Sequence, residues 1–139
     1  MSDFKKLTVW RKAHGLALNI HRLLSLMRGT HHVSLRTQML RAAMSIPANI
    51  VEGSAQESGK EFGRFLSIAI KSTSELEYHL IFAKSIRAIT KNDFESLNAQ
   101  LVEVRKMLYS LRDRVITTPR LTRKTLGGVV NACRDVPTS

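Results

Sequence analysis

Four places in the chain bring together residue types that could do chemistry: Glu75 with His79, the pair His31-His32, the stretch from Gly53 to Gly59-Lys60, and Cys133. A di-metal carboxylate bundle needs paired Glu-x-x-His units on facing helices. No Glu or Asp here is followed three residues later by a histidine, and Glu75 and His79 stand four apart, the spacing of a solvated pair on one helix face. His31 and His32 have no further ligands nearby and no His-Glu-x-x-His occurs, so neither a metal nor another cofactor is expected. Gly53 to Lys60 resembles a phosphate loop only superficially. Five residues separate its glycines instead of four, and Glu61, which would repel a phosphate, stands where Ser or Thr belongs. With one cysteine, near the C-terminus, and no serine nucleophile motif, no catalytic residue is assigned and the chain is expected not to be an enzyme.

Positive charge is the stronger signal. The net charge is +11 and the sequence pI about 10.6, a balance that favours polyanions or acidic protein surfaces. Residues 1–51 hold Lys5, Lys6, Arg11, Lys12, Arg22, Arg28, Arg36 and Arg41 against the single acid Asp3. From 58 to 118 the charges nearly balance, and a second excess follows in Arg120, Arg123, Lys124 and Arg134. On a helix at about 100° per residue, Arg11, His14, His21 and Arg22 share one face with no acid among them, and Arg28 extends that charge. Such a face can track the phosphates of RNA or DNA. Sequence-specific reading is not expected of it, because no zinc finger, RRM signature or KH loop accompanies it.

The elements that must position this face follow from periodicity. Val9, Ala13, Leu16, Ile20, Leu23 and Met27 form one apolar stripe of a first helix, with Thr8 as its expected N-cap and Gly29 as its end. A second helix after Ser34 turns Leu35, Met39, Ala42, Ile46 and Ile50 inward and stops near Gly53. Pro47 has no N–H and crowds the carbonyl of Ala43, so this helix is expected to kink there, with Ser45 and Asn49 bonding locally to the backbone. Pro47 and Gly53 are read as backbone devices. Glu52 is read as a structural residue that pairs with a base or accepts backbone hydrogen bonds.

Ser58-Gly59-Lys60-Glu61 is a capping box that opens a third helix, with Phe62, Leu66, Ala69, Thr73, Leu76, Leu80 and Ala83 inward. A fourth helix after Thr90 repeats the pattern with Phe94, Leu97, Leu101, Val104, Leu108, Leu111 and Val115. Short connections make successive helices antiparallel neighbours, so the fold expected is all-α, an up-down-up-down four-helix bundle over residues 1–118. Residues 119–139 show no core periodicity and read as a basic, flexible tail. A chain of 139 residues suits one domain, burying roughly 68% of its unfolded surface. A lone cysteine, with no secretory leader and no membrane-length apolar run, fits a soluble cytoplasmic protein.

The third helix carries more apolar surface than one core uses. Ile68, Phe82 and Ile86 fall away from its inward row, and a helix apolar nearly all round is usually buried all round. They are assigned to a subunit interface. Trp10 is expected to flank the core.

The blocks Val9-Trp10-Arg11-Lys12-Ala13, Arg41-Ala42-Ala43, Ser45-Ile46-Pro47-Ala48-Asn49-Ile50, Glu52-Gly53, Glu61-Phe62-Gly63-Arg64-Phe65-Leu66-Ser67-Ile68-Ala69 and Ser74-Glu75-Leu76-Glu77 resemble, in order and spacing, the bacterial four-helix-bundle family of 23S rRNA intervening-sequence proteins. The resemblance implies a homo-oligomeric ring of five subunits. It also implies similarity to the accessory variability proteins of diversity-generating retroelements, which assist a reverse transcriptase and bind nucleic acid. Two departures stand out: Gln56-Glu57 where the family often has a basic pair, and Lys71 where it often has a glycine. The function expected is therefore a non-enzymatic, homo-oligomeric, nucleic-acid-associated bundle that grips phosphate backbones, RNA ahead of DNA. The alternative is an adaptor or accessory subunit whose basic surface meets an acidic protein partner without touching nucleic acid.

Overall fold

A computed structural model describes residues 3–27 and 29–117. Four helices make up the fold: α1 (Thr8–Leu26), α2 (Val33–Ser54), α3 (Gly59–Ser85) and α4 (Lys91–Ile116), with short 3-10 turns at Phe4–Lys6 and Thr30–His32. They pack as a closed circuit, α1 on α2, α2 on α3, α3 on α4 and α4 back on α1. Cross-helix contacts run in opposite order along partners. Arg41 meets Glu75 and Ser45 meets Ser72, while Thr73 meets Arg105 and Ser67 meets Arg112. Each of these pairs is antiparallel.

The apolar rows form the core as their spacing requires. Val9, Ala13, Leu16 and Ile20 of α1, Met39, Ala42, Ile46 and Ile50 of α2, and every residue of the α3 row from Phe62 to Ala83 are buried. Leu101, Val104, Leu108, Leu111 and Val115 of α4 join them, with Leu35 and Phe94 half-buried against the same cluster. The caps of the two long helices are as expected on the hydroxyl side: Ser58 Oγ accepts the Glu61 N–H at 3.1 Å, and Thr90 Oγ1 accepts that of Asp93 at 3.0 Å. The Glu61 carboxylate is engaged by Arg64 Nε at 3.0 Å.

Thr8 does not cap α1. Leu7 takes that position with extended backbone and no side-chain bond, and Thr8 is the first helical residue, its hydroxyl buried without a partner. The cause lies upstream, where Asp3 caps the preceding turn and sets the entry of the chain so that Leu7 is driven into the core.

α2 runs through Pro47 without interruption. Around the proline a polar ladder ties the helix to itself and to α3: Asn49 Nδ2 donates to the Ser45 carbonyl at 2.8 Å and to Ser45 Oγ at 3.0 Å, and Ser45 Oγ lies 2.8 Å from Ser72 Oγ. Ser72 in turn donates to the Ile68 carbonyl at 3.1 Å. Just beyond, Gly53 lets α3 approach closely. A Cβ there would stand 3.0 Å from Phe65 Cβ and 3.2 Å from the Phe62 carbonyl. Gly29 serves differently, holding a left-handed φ of 105° after α1, while Arg36 donates to the Met27 and Gly29 carbonyls on either side.

Candidate nucleic-acid interface

α1 is built so that its exposed face carries bases and no acid. The helix contains no acidic residue, and its buried stripe on α2 and α4 leaves Arg11, His14, His21 and Arg22 exposed on the opposite side. Two contacts fix this orientation. Lys12 Nζ lies 2.6 Å from Glu103 Oε1, and Asn19 Nδ2 donates to Gln100 Oε1 at 2.8 Å, both across to α4. Arg22 bonds the Asn19 side-chain oxygen, so its guanidinium is held over the same edge.

His14 stacks on Trp10 with ring centroids 5.0 Å apart and planes within 8°, and Trp10 meets Phe4 edge-on. Trp10 packs against the core while presenting His14 on its outer side. Leu18, 43% exposed, sits amid the four basic residues. The face is therefore a strip of arginine and histidine side chains with an apolar centre. Arg28, assigned to the same face, lies outside the described residues, as does the segment 119–139.

Three other arginines are committed to structure. Arg41 pairs with Glu75, Arg105 donates to Thr73 at 2.9 Å and to Glu77 at 3.0 Å, and Arg36 caps carbonyls. Those contacts depend on how the helices register against one another. Arg11 takes part in no ion pair among the described residues and remains available to a ligand.

The apolar residues assigned to an interface divide. Phe82 and Ile86 are 43% and 44% exposed and line one groove with Tyr78, 61% exposed, against Leu35 and Gln38 of α2. Ile68 is only partly exposed and lies about 21 Å along α3 from Phe82 at 1.5 Å per residue. It does not join them. Tyr78 was not singled out from sequence, although it precedes Phe82 by one turn and Ile86 by two.

His79 is half-buried, its Nε2 lying 3.5 Å from Glu75 on its own helix with Arg41 on the same carboxylate, so the pair is not the solvated one its spacing suggests. Among the described residues no three His, Cys, Asp or Glu converge as a metal site. Glu52 is exposed and forms no ion pair among them; its backbone carbonyl accepts the Gln56 side chain at 3.1 Å. Lys71 is exposed as well, so the charged residue does not intrude on a helix contact. No described helix is long and apolar enough to cross a membrane.

The family model described as 23S rRNA-intervening sequence protein matches residues 5–110. The chain is also similar to the crystal structure of a protein of unknown function from the S23 ribosomal protein family of Bacteroides thetaiotaomicron. The two share 32% identity over 80% of this chain and 100% of that one, with a TM-score of 0.71. No curated protein matches the chain.

Proposed function

The chain belongs to the 23S rRNA-intervening sequence protein family, and from that premise we propose that it is a non-enzymatic, homo-oligomeric protein that associates with RNA through phosphate backbones. The observation that carries this reading is the acid-free face of α1, with Arg11, His14, His21 and Arg22 exposed together. Each cation placed on a phosphate releases condensed counterions, so a strip repeated around an oligomer gains affinity with every contact. The groove of Tyr78, Phe82 and Ile86 supplies the surface for a second copy, and five subunits is the number the family resemblance implies. The same groove favours a second reading. An accessory subunit would use it to hold a protein such as a reverse transcriptase, with no direct contact to nucleic acid.

Titration of nuclease-treated protein with unrelated RNA and DNA sequences across salt separates the two. Binding is expected to be weakly sequence-selective, with a log-log salt slope of about −0.7 per phosphate for single strands and about −0.9 for duplex DNA. Arg11→Ala with Arg22→Ala removes two phosphate contacts, which at 0.1 M salt corresponds to about a 25-fold loss of affinity for single strands. Both side chains are exposed, so the bundle stays folded. Absence of binding at low salt to every sequence would select the adaptor, and a salt-insensitive preference for one sequence would reject backbone recognition.

A further inference from the structure

The end of α3 carries a backbone conformation that its residue type does not favour. The Arg87 N–H donates to the Lys84 carbonyl at 3.0 Å and the Ala88 N–H to the Ala83 carbonyl at 2.8 Å. These paired bonds are the Schellman closure, in which the residue just past the helix turns left-handed and is usually glycine. Here it is Arg87, with φ of 61°, the one non-glycine residue at positive φ among those described. A Cβ is disfavoured in that region, and backbone held in sparsely populated conformations gathers where a side chain serves a function.

Arg87 stands with Lys84 and Lys91 around an open cavity of about 520 Å³ between the ends of α1, α3 and α4. Its floor is apolar, with Met27 and Ile89 each 7% exposed, and at its side Leu26 projects 75% exposed, more than any other large hydrophobic described. One acid, Asp93, shares the lining. Lys91 Nζ lies 3.8 Å from Glu95, and Lys84 Nζ sits 4.6 Å over the Phe94 ring. Arg87 is exposed and has no ion pair among the described residues. Leu26 follows Arg22 by one turn of α1, so the cavity opens where the basic face ends.

We propose that this cavity is a phosphate-binding subsite for the strand that lies along α1. Arg87 grips one phosphodiester through the two-pronged geometry open to a guanidinium. Lys84 and Lys91 add positive field, and the sugar and base of that nucleotide cover Leu26, Met27 and Ile89. The assignment rests on the RNA-binding reading of α1, which it extends past the end of the helix.

Arg87→Gly tests it, because glycine relieves the left-handed backbone while removing the guanidinium. The thermal midpoint should hold or rise. Affinity for oligouridylate long enough to span α1 should fall about fivefold at 0.1 M salt, and the log-log slope should shrink by about 0.7, one phosphate fewer. Unchanged affinity and slope in Arg87→Gly, with the Arg11→Ala/Arg22→Ala protein still impaired, would remove the subsite and leave the α1 reading intact. If the unmodified protein binds no oligouridylate at low salt, both are overturned.

Discussion

Phe82→Asp is expected to break the proposed oligomer into smaller species while leaving helix content unchanged. Phe82 lies 43% exposed on α3 beside Tyr78 and Ile86, so its ring contributes little to the core of its own bundle. Burying such a ring against a second copy is worth about 1.5–3 kcal/mol, and a carboxylate put there would also have to lose its water. Each interface should weaken by at least ten- to a hundredfold, since about 1.4 kcal/mol is a factor of ten. Light scattering or native mass measurement reads the result, with Lys91→Ala as an exposed control expected to assemble normally. A concentration-independent monomer in the unmodified protein would remove the interface argument altogether.

Phe62→Ala should cost about 3–5 kcal/mol of bundle stability, the range for truncating a buried phenylalanine. The side chain is fully buried at the start of α3, and its Cδ1 lies 3.3 Å from where a Cβ on Gly53 would stand. Helices already this close cannot collapse much further to fill the space. The measurement is a denaturant midpoint taken in the Phe82→Asp background, so that assembly does not add to apparent stability. A loss below about 1 kcal/mol, well short of that range, would mean that α2 and α3 are not clasped around this ring.

The bundle itself was legible because its helices keep three- and four-residue spacing for several turns. Leu66, Ala69, Thr73, Leu76 and Leu80 all face inward on periodicity alone. The start of α1 was not, because Thr8 is a good cap by type while the chain path set by Asp3 and Leu7 makes it helical. For the basic face, the shared side of Arg11, His14, His21 and Arg22 followed from angle. Which bases remain available did not, since Arg41–Glu75, Lys12–Glu103 and Arg105–Glu77 join residues far apart in sequence and depend on helix register. Likewise Ile68 and Phe82 share an angular sector but not a height. Arg87 gave no sequence signal, because a left-handed turn ordinarily announces itself by glycine.

The circuit of helices has a seam. α2, α3 and α4 follow one another through short turns, whereas α1 must find α4 across the intervening chain, where loop-closure entropy is largest. Polar contacts across that seam include Lys12–Glu103 and Asn19–Gln100. Docking of α1 on α4 should therefore come last in folding and open first in the native state. Amide exchange is expected to protect the middle of α3 longer than the middle of α1, and equal protection would show the bundle opening as one unit. RNA bound along α1 would then act as a latch, slowing exchange of a helix whose own seam is the first to part.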